Sequence, residues 1–323
     1  MSSDAPTSDT DFSGMGIYVD GRVKNELDEM LVTKKATELT ARDVHLMSSM
    51  HYLDDEPMLR AAEFFNLVRR DEGAGEGGAG GAEREGGDAA QISHSMLHSR
   101  ILDFGSGFAG DARCFASEYQ NTHVTCVEVQ KHIHDAAQAF TEMLNFSDVC
   151  THQCVDVFVE NADSENKKIA GAPFDALYSI LVILHVPRRD ALFGILAANL
   201  KPGGLVYIED YFLVNPLIDM DKKQLQTVVA CPYLPSKDEY EQTLRKSGFE
   251  NIEWETMTDA WVPFIDRRLT EFRSQEGTRR NERVHGAALT KDLDTFYSTV
   301  HELFTRGNVG GCGFERERKV TNF

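Results

Sequence analysis

The sequence predicts an α/β fold in which a mostly parallel sheet of seven strands has helices on both faces. Three observations lead to this expectation. An apolar segment at 100–104 runs straight into a glycine-rich turn at 105–110. Further short apolar segments follow along the chain, and stretches with helical spacing of apolar residues separate most of them. Alternating strands and helices are typical of βαβ units, in which the strands run parallel.

The turn Gly105-Ser106-Gly107-Phe108-Ala109-Gly110 predicts a nucleotide-like ligand. Gly105 and Gly107 have no Cβ, so the backbone can bend tightly and approach a ligand closely. An acidic residue, Asp103, stands two positions before the first glycine. Dinucleotide-binding dehydrogenases share the G-x-G-x-x-G pattern, so the turn alone does not identify the ligand.

Three later segments narrow the choice of ligand. The segment 124–128 ends in Glu128, roughly 20 residues past the glycines, where folds of this class bind ribose hydroxyls. The segment 150–155 runs into Asp156, which is placed to meet the edge of a base. The segment 176–186 is an almost continuous apolar run, as a strand covered on both faces requires.

The remaining strands are expected after the Lys-Pro-Gly-Gly turn at 201–204. A fifth strand at 205–208 follows this turn directly, and a sixth is expected at 251–258. A polar helical stretch at 260–306, broken around 276–282, then precedes a seventh strand at 312–320.

Composition bounds the class of protein. The formal net charge of −19 argues against nucleic-acid phosphate as a partner, because no basic face is visible. Cys150 and Cys154 have no Cys/His pair at zinc-finger spacing, so we expect no metal site. The chain shows neither a secretory signal nor an apolar run near 18 residues. We therefore expect no membrane insertion and a cytoplasmic location.

The chain is expected to divide into four segments. They are a disordered tail at 1–22, a helical segment at 23–70, a flexible Gly/Glu-rich insert at 71–91 and a ligand-binding domain at 92–323. The insert has no apolar periodicity, so it cannot bury enough surface to offset its ordering entropy. Segments that cover the substrate are expected near 211–247 and 260–306.

The order of these features resembles class I S-adenosylmethionine-dependent methyltransferases: Asp-x-Gly-x-Gly, a strand-end Glu, a strand-end Asp, an apolar strand and Lys-Pro-Gly-Gly. The segments 127–130, 183–193, 208–212 and 232–235 resemble sarcosine/dimethylglycine N-methyltransferases and, more distantly, phosphoethanolamine N-methyltransferases. The resemblance covers roughly residues 44–70 and 95–320. It implies a Rossmann-like sheet whose last strand is antiparallel and lies between strands five and six.

The resemblance implies S-adenosyl-L-methionine as the cofactor, held by residues at three strand ends. The implied contacts are Asp103, Gly105, Ser106, Gly107 and Leu181 or Val182 for the methionine part, Glu128, Val129 and Gln130 for the ribose, and Asp156 and Val157 for the adenine. One departure is the run Ala109-Gly110-Asp111, where relatives often read Gly-Gly-Pro. It keeps the essential glycine, and we expect little effect on binding.

Two catalytic residues are implied by the same resemblance. His185 matches the histidine that phosphoethanolamine methyltransferases are thought to use near the acceptor, together with an N-terminal tyrosine, for which Tyr52 is the candidate. An amine must be neutral to attack, and deprotonating one with a pKa of about 10.4 at pH 7 costs about 4–5 kcal/mol. His185 is therefore a hypothesis for the base or proton conduit. The alternative is that it only ends strand four with a hydrogen bond.

Repeated methylation of an amine creates a fixed cation, which aromatic faces stabilise. The candidates for such a wall are Tyr211, Tyr233 and Trp261, together with Tyr52 and Phe212. Arg188 and Arg189 could pair with an acceptor carboxylate, but at a helix start we expect both to face solvent.

The predicted function is methyl transfer to the amine of a glycine-, sarcosine- or dimethylglycine-like small molecule. The alternatives are another small acceptor, such as phosphoethanolamine, a thiol, a hydroxyl or a carbon, and a nucleotide-binding oxidoreductase. A methyltransferase-like scaffold without catalysis is a third alternative, which the complete set of strand-end acidic residues argues against. The expected partner is the small-molecule acceptor, and a homodimer is left open.

Overall fold

The computed structural model describes residues 20–48, 50–70, 99–158 and 169–318, with side chains up to 315 in the last strand. Most of the predicted tail, and the whole Gly/Glu-rich insert, lie outside the described residues. The tail's predicted end at residue 22 is wrong, because the first helix begins at Asp20. Tertiary contacts explain the earlier start: the Arg22 guanidinium donates to the carbonyl oxygens of Met47 and Ser48, each at 3.2 Å.

Seven strands of the described chain form one sheet in the order β3-β2-β1-β4-β5-β7-β6. They are β1 (Ser99–Phe104), β2 (Thr122–Glu128), β3 (Cys150–Cys154), β4 (Phe174–Ile180), β5 (Leu200–Leu213), β6 (Phe249–Thr256) and β7 (Val309–Arg318). The first five strands pair in parallel. Strand β7 is antiparallel to both β5 and β6, so the predicted place of the last strand is confirmed.

Ten α-helices accompany the sheet within the described ranges. They are α1 (Asp20–Leu31), α2 (Ala41–Ser48), α3 (Glu56–Phe64), α4 (Gly110–Glu118), α5 (Lys131–Met143), α6 (Arg189–Asn199), α7 (Asp219–Thr227), α8 (Lys237–Lys246), α9 (Thr258–Arg273) and α10 (Gln275–Thr305). Short 3-10 turns occur at Ala36–Glu38 and Ile183–His185. None of the described helices has the length and apolar character that crossing a bilayer requires.

Both faces of the sheet are covered, as predicted. On one face, apolar side chains of α6 and α8, such as Leu192 and Leu244, pack against β1, β4 and β5. On the other face, α3 and α4 contribute Met58 and Phe115, which pack against β1, β2 and β4. Burial on both faces explains why these central strands read as apolar runs in the sequence.

The predicted fourth strand, 176–186, is wrong in its extent. Strand β4 ends at Ile180, and the next residue, Leu181, has φ +53°, a left-handed conformation that stops the strand. The chain then forms the 3-10 turn Ile183–His185, whose first two residues are buried. The apolar run continues past the strand because this turn packs into the core, so hydrophobicity alone could not mark the strand end.

The long helical stretch predicted at 260–306 is two helices. The break lies at Ser274, slightly before the predicted 276–282, and the Ser274 hydroxyl accepts a hydrogen bond from Gly277 N at 2.9 Å. Helix α10 also kinks at Gly286, where φ is +76°. The carboxyl ends of β1, β2, β3 and β4 meet at one edge of the sheet, and α9 and α10 pack beside β7.

Candidate functional site

A cavity of about 190 Å³ lies at the carboxyl ends of the parallel strands. A single water needs about 10–15 Å³ of such space, so the cavity has room for an organic ligand. Its lining includes the glycine turn 105–108, the strand ends 127–130 and 155–158, and the segment 180–186. The lining also includes residues from the 45–52 region, Asp103, Phe104, Gly110, Asp111, Tyr178, Tyr211, Val229 and Phe296.

The glycine turn has no room for a side chain at Gly105, whereas a Cβ at Gly107 would meet no atom within 4 Å. Gly105 has φ +75°, and a Cβ built there would lie 2.3 Å from Val182 Cγ1. The amides of Gly105 and Ser106 both donate to Val127 O, at 2.9 and 3.0 Å, which fixes the turn against β2. The Ser106 hydroxyl is buried in the lining, and among the described residues it has no hydrogen-bond partner. A ligand with a polar group can satisfy it.

Asp103 lies at the end of β1 in the cavity wall, only 4% exposed. Tyr178 donates its hydroxyl hydrogen to Asp103 Oδ2 at 2.7 Å. Burial raises the pKa of the Asp103 carboxyl well above its usual range, and the nearby carboxylates of Asp111 and Glu128 add to this effect. A cationic ligand in the cavity would favour the ionised carboxylate.

Glu128 ends β2 and also lines the cavity. Its carboxylate accepts hydrogen bonds from Gly107 N at 3.1 Å and from Gln130 N at 2.8 Å. Burial raises the pKa of this carboxyl, while the backbone donors act in the opposite direction. The two bonds place Glu128 between the glycine turn and the start of α5, where the sequence predicted a ribose contact.

The other predicted cofactor residues also reach the cavity. Asp156 Oδ1 accepts from Phe158 N at 2.8 Å, which shapes the turn after β3. The lining further contains the predicted Val129, Gln130, Val157 and Leu181, together with Val182. Leu181 keeps its left-handed backbone while its amide donates to Glu209 O at 2.9 Å. The structure thus brings all of the predicted cofactor positions to one cavity.

His185 lines the opposite part of the cavity. Its Nδ1 lies 3.1 Å from Ala230 O, and because a carbonyl only accepts, Nδ1 carries the hydrogen in this contact. Burial lowers the pKa of His185 to about 4, and the Arg189 charge acts in the same direction. The imidazole is therefore neutral at physiological pH.

Tyr52 and Tyr211 form a hydroxyl–hydroxyl hydrogen bond in the cavity wall. Tyr52 is 4% exposed, and its ring centroid lies 4.8 Å from that of Trp261. The Arg268 guanidinium lies 5.7 Å from the centre of the Tyr52 ring. The predicted catalytic pair, Tyr52 and His185, therefore shares one cavity, in which the Tyr52 hydroxyl is hydrogen-bonded to that of Tyr211.

Three predicted wall residues are not among the described lining of the cavity: Phe212, Tyr233 and Trp261. Phe212 packs in the core with residues of α6 and α8. Trp261 is fully buried behind Tyr52 and packs in the core of α9 and α10. Tyr233 is 49% exposed, and its hydroxyl donates to Glu239 Oε1 at 2.9 Å on the surface. The expectation that Arg189 faces solvent is wrong: it is 6% exposed, with Nη1 3.6 Å from Asp210 Oδ2. That buried carboxylate explains why its charge is tolerated inside.

The sequence reasoning missed a cluster of His45, His51 and Asp111 in the cavity wall. Asp111 Oδ2 lies 3.2 Å from His51 Nε2, and Asp111 Oδ1 lies 3.1 Å from His45 Nδ1. Burial opposes ionisation of Asp111, but the two imidazoles outweigh it and hold the pKa of this carboxyl well below its usual range. The departure at 109–111 was the one available signal, because it places a carboxylate at the start of α4.

The chain matches a family model described as a methyltransferase domain over residues 51–253. The phosphoethanolamine N-methyltransferase of Triticum aestivum is 28% identical over 174 residues. This alignment covers 53% of the chain and 32% of the plant protein, so the chain spans about a third of that relative's length.

Solved structures share the fold. Phosphoethanolamine N-methyltransferase 2 of Haemonchus contortus, solved with phosphomonomethylethanolamine and S-adenosylhomocysteine, has a TM-score of 0.66 at 19% identity, covering 94% of this chain and 61% of that one. A Galdieria sulphuraria protein proposed to be a sarcosine dimethylglycine methyltransferase has a TM-score of 0.58 at 16% identity, covering 69% and 79%. At these identities the likeness concerns the fold alone.

Proposed function

Because the chain belongs to the family of methyltransferase domains, we propose that it is an S-adenosyl-L-methionine-dependent methyltransferase acting on a small-molecule acceptor. The resemblance expected from the sequence is confirmed at the level of family and fold. The observation that carries the proposal is one cavity lined by two differently built groups of residues. The first group is the glycine turn with the strand-end carboxylates, and the second is Tyr52, His185 and Tyr211; we place the two groups at two ends of the cavity.

The first end fits the cofactor, and we call it the cofactor end (residues 103–107, 128–130 and 156–157). The buried Ser106 hydroxyl, which has no hydrogen-bond partner among the described residues, and the open space beside Gly107 both support this fit. In the proposed arrangement Asp103 and the glycine turn hold the methionine part. Glu128 binds the ribose hydroxyls, and Asp156 with Val157 meets the adenine, as in related folds.

The second end is where we place the acceptor, and we call it the acceptor end (Tyr52, His185, Tyr211 and Phe296). When bound, S-adenosylmethionine supplies a methyl group already activated on a sulfonium. The protein's work is then to orient the acceptor in line and to exclude water, and alignment of this kind can contribute about 7–11 kcal/mol. The buried Tyr52 and Tyr211 hydroxyls and rings form a wall that serves both purposes.

We propose a small amine of the glycine, sarcosine or dimethylglycine type as the acceptor. Apart from its tyrosines, the titratable side chains of the described lining are carboxylates and imidazoles: Asp103, Asp111, Glu128, Asp156, His45, His51 and His185. Carboxylates and aromatic faces favour cations, and both the sulfonium donor and a methylated amine are cations. This favours an amine over a neutral hydroxyl or carbon acceptor.

His185 is proposed to orient the acceptor. With its pKa near 4 and Nδ1–H directed at Ala230 O, it presents a neutral imidazole over the physiological range. A neutral ring can accept a hydrogen bond through Nε2, but it holds a transferred proton poorly. Tyr52 and Tyr211 share one hydrogen between their oxygens, so the two hydroxyls lie together in the cavity wall.

The first experiment measures cofactor class by calorimetric titration with S-adenosylhomocysteine and, separately, with NAD. We expect micromolar or tighter binding of S-adenosylhomocysteine and none of NAD. Binding of NAD alone would overturn the assignment and favour the oxidoreductase alternative.

The second experiment identifies the acceptor with methyl-labelled S-adenosylmethionine and a fixed panel. The panel contains glycine, sarcosine, dimethylglycine, phosphoethanolamine, a small thiol and a small alcohol. Label on glycine, sarcosine or dimethylglycine confirms the proposed type of acceptor. Label only on phosphoethanolamine, the thiol or the alcohol would replace it with that class of acceptor. The cytoplasmic location and the homodimer stay predictions.

A further inference from the structure

We propose that His51, held in position by Asp111, is the base that removes the proton from the acceptor amine. This inference rests on the proposed function and assigns the proton step to a residue other than His185. The two residues come from different parts of the chain: His51 lies between α2 and α3, and Asp111 lies in the first turn of α4. Both line the cavity, and both are about nine-tenths buried.

The contact between the two side chains decides which nitrogen is the base. His51 Nε2 lies 3.2 Å from Asp111 Oδ2 and 3.4 Å from Asp111 Oδ1. An ionised carboxylate only accepts hydrogen bonds, so Nε2 carries the hydrogen and Nδ1 keeps the lone pair. Nδ1 is buried and, within the described part of the chain, has no hydrogen-bond partner. A basic nitrogen in a ligand cavity is thus left without an internal partner.

The neighbours of His51 hold its backbone and its partner carboxylate. The Arg268 guanidinium of α9 donates to His51 O at 2.8 Å and also lies over the Tyr52 ring. On the far side, His45 Nδ1 lies 3.1 Å from Asp111 Oδ1, and His45 Nε2 lies 3.0 Å from Asp55 Oδ1. A base needs such fixed orientation to meet the proton of a bound acceptor.

The charges around His51 favour its protonated form. Asp111 of α4 and Glu209 of β5 act to raise the pKa of His51, whereas burial and the Arg268 charge of α9 act to lower it. Asp103 of β1 and His45 of α2 face the same region. The net direction is upward. Burial and the Arg189 charge lower the pKa of His185 to about 4, so a transferred proton is better held by His51.

The proposed step moves a proton from the acceptor to His51 and a methyl group from sulfur to the acceptor nitrogen. An N–H bond of the acceptor ammonium breaks, its proton goes to His51 Nδ1, and its electron pair stays on nitrogen. That lone pair forms the new N–C bond to the methyl group, and the electrons of the S–CH₃ bond go to sulfur, which leaves as the neutral thioether. The proton on His51 returns to solvent after the products leave.

The first test uses nitrogen NMR of histidine side chains on the full chain with S-adenosylhomocysteine, and it needs no acceptor. The His51 resonances are those lost in His51→Gln. We expect the neutral ring to carry its hydrogen on Nε2 and to titrate at a higher pH than His185. Asp111→Asn should lower the His51 titration midpoint by about one unit. A hydrogen on Nδ1, or a midpoint below that of His185, would overturn the proposal.

The second test follows single-turnover methyl transfer from labelled S-adenosylmethionine to dimethylglycine and sarcosine between pH 5 and 9. Wild type should show a rate that rises with pH along one ionisation. His51→Gln should lower the plateau about 10²–10³-fold and remove that limb, while Asp111→Asn should move the limb to lower pH. His185→Gln should keep the limb. A limb that survives in His51→Gln contradicts the proposal.

A matched control is available on the surface. His301 Nε2 lies 3.2 Å from Asp266 Oδ1, the same contact in an exposed place, so Asp266→Asn should leave the rate profile unchanged. The ring nitrogens of His45 and His51 and the Asp111 carboxylate lie within 4.8 Å of one another, so purified protein is also assayed for metal. One bound metal ion per chain, lost in His51→Gln, would replace the base with a metal site. If the proposed function itself is wrong, S-adenosylhomocysteine does not bind, and this result is distinct from a failure of the His51 proposal.

Discussion

The cofactor end of the cavity is built from three short segments that each follow a parallel strand, whereas the acceptor end is assembled from side chains far apart in the chain. Asp103 is the next-to-last residue of β1, Glu128 is the last residue of β2, and Asp156 lies two residues past β3. Tyr52, His185 and Phe296 come from an N-terminal segment, a 3-10 turn and the second half of α10. Strand order alone positions the first group, and only tertiary packing positions the second.

The two ends also differ in how their polar groups are held. Glu128 and Asp156 accept hydrogen bonds from backbone amides two residues along, or from the glycine turn. At the acceptor end the contacts join distant side chains, as in Tyr52 with Tyr211 and His51 with Asp111. Backbone contacts tolerate sequence change around them. We therefore infer that specificity for the acceptor depends on the contacts between distant side chains.

The largest expected effect is a loss of cofactor affinity at the cofactor end. Glu128→Ala removes the carboxylate that joins the glycine turn to the start of α5 and that is proposed to bind the ribose. We expect S-adenosylhomocysteine affinity to fall at least 100-fold, or about 3 kcal/mol, by calorimetry. Glu142→Ala, an exposed position on α5, is the control. An affinity within threefold of wild type would remove Glu128 from the site.

The next effect concerns a buried carboxyl behind the acceptor end. Burial raises the pKa of Glu209 to about 7, and its Oε2 has no hydrogen-bond partner among the described residues. A folded-state pKa above the unfolded value means that ionisation destabilises the fold as pH rises from about 4.5 to above 7.

Glu209→Gln should therefore stabilise the protein by about 2 kcal/mol at pH 8, after allowing for the new buried amide. At pH 4.5 the variant should gain nothing. Urea unfolding at both pH values measures this. Equal effects at the two pH values would contradict the raised pKa.

A smaller effect is expected for His185→Ala. The ring is neutral from pH 6 to 9 because its pKa lies near 4, so removing it should lower kcat by about tenfold at every pH in this range. S-adenosylhomocysteine affinity should stay within threefold. An unchanged kcat would show that the histidine only ends the turn after β4. A loss that varies with pH would restore it as the proton acceptor.

The smallest effects separate two predicted wall tyrosines. Tyr211→Phe removes the hydroxyl bonded to Tyr52 in the cavity, and the KM for the acceptor should rise severalfold. Tyr233→Phe removes only a surface bond to Glu239, so KM should not change. Steady-state kinetics with the acceptor found in the panel compares them. A larger effect at Tyr233 would mean that it covers the site when substrate is bound.

The fold and the cofactor end could be predicted because their signals are local. The strand-turn-strand order fixed the sheet, and each carboxylate stands within a residue or two of its strand. The end of β4 could not be predicted, because the buried turn at Ile183–His185 is as apolar as the strand.

The acceptor end was only partly predictable, because composition does not report long-range contacts. The resemblance placed Tyr52 and His185, and both line the cavity. Tyr233 and Trp261 were chosen as aromatic residues in the right region, yet one is on the surface and one is in the core. Asp111 stands in the sequence only as part of the departure at 109–111, and its pairing with His51, 60 positions away, is visible only in three dimensions.

The proposed cofactor site is tested most directly by a crystal structure of the full chain with S-adenosylhomocysteine. We expect the ligand in the cavity, with both ribose hydroxyls within about 3.2 Å of the Glu128 carboxylate and the sulfur directed at Tyr52 and His185. Ligand bound elsewhere, or a cavity filled by side chains with Glu128 turned out of it, would contradict the proposed cofactor site.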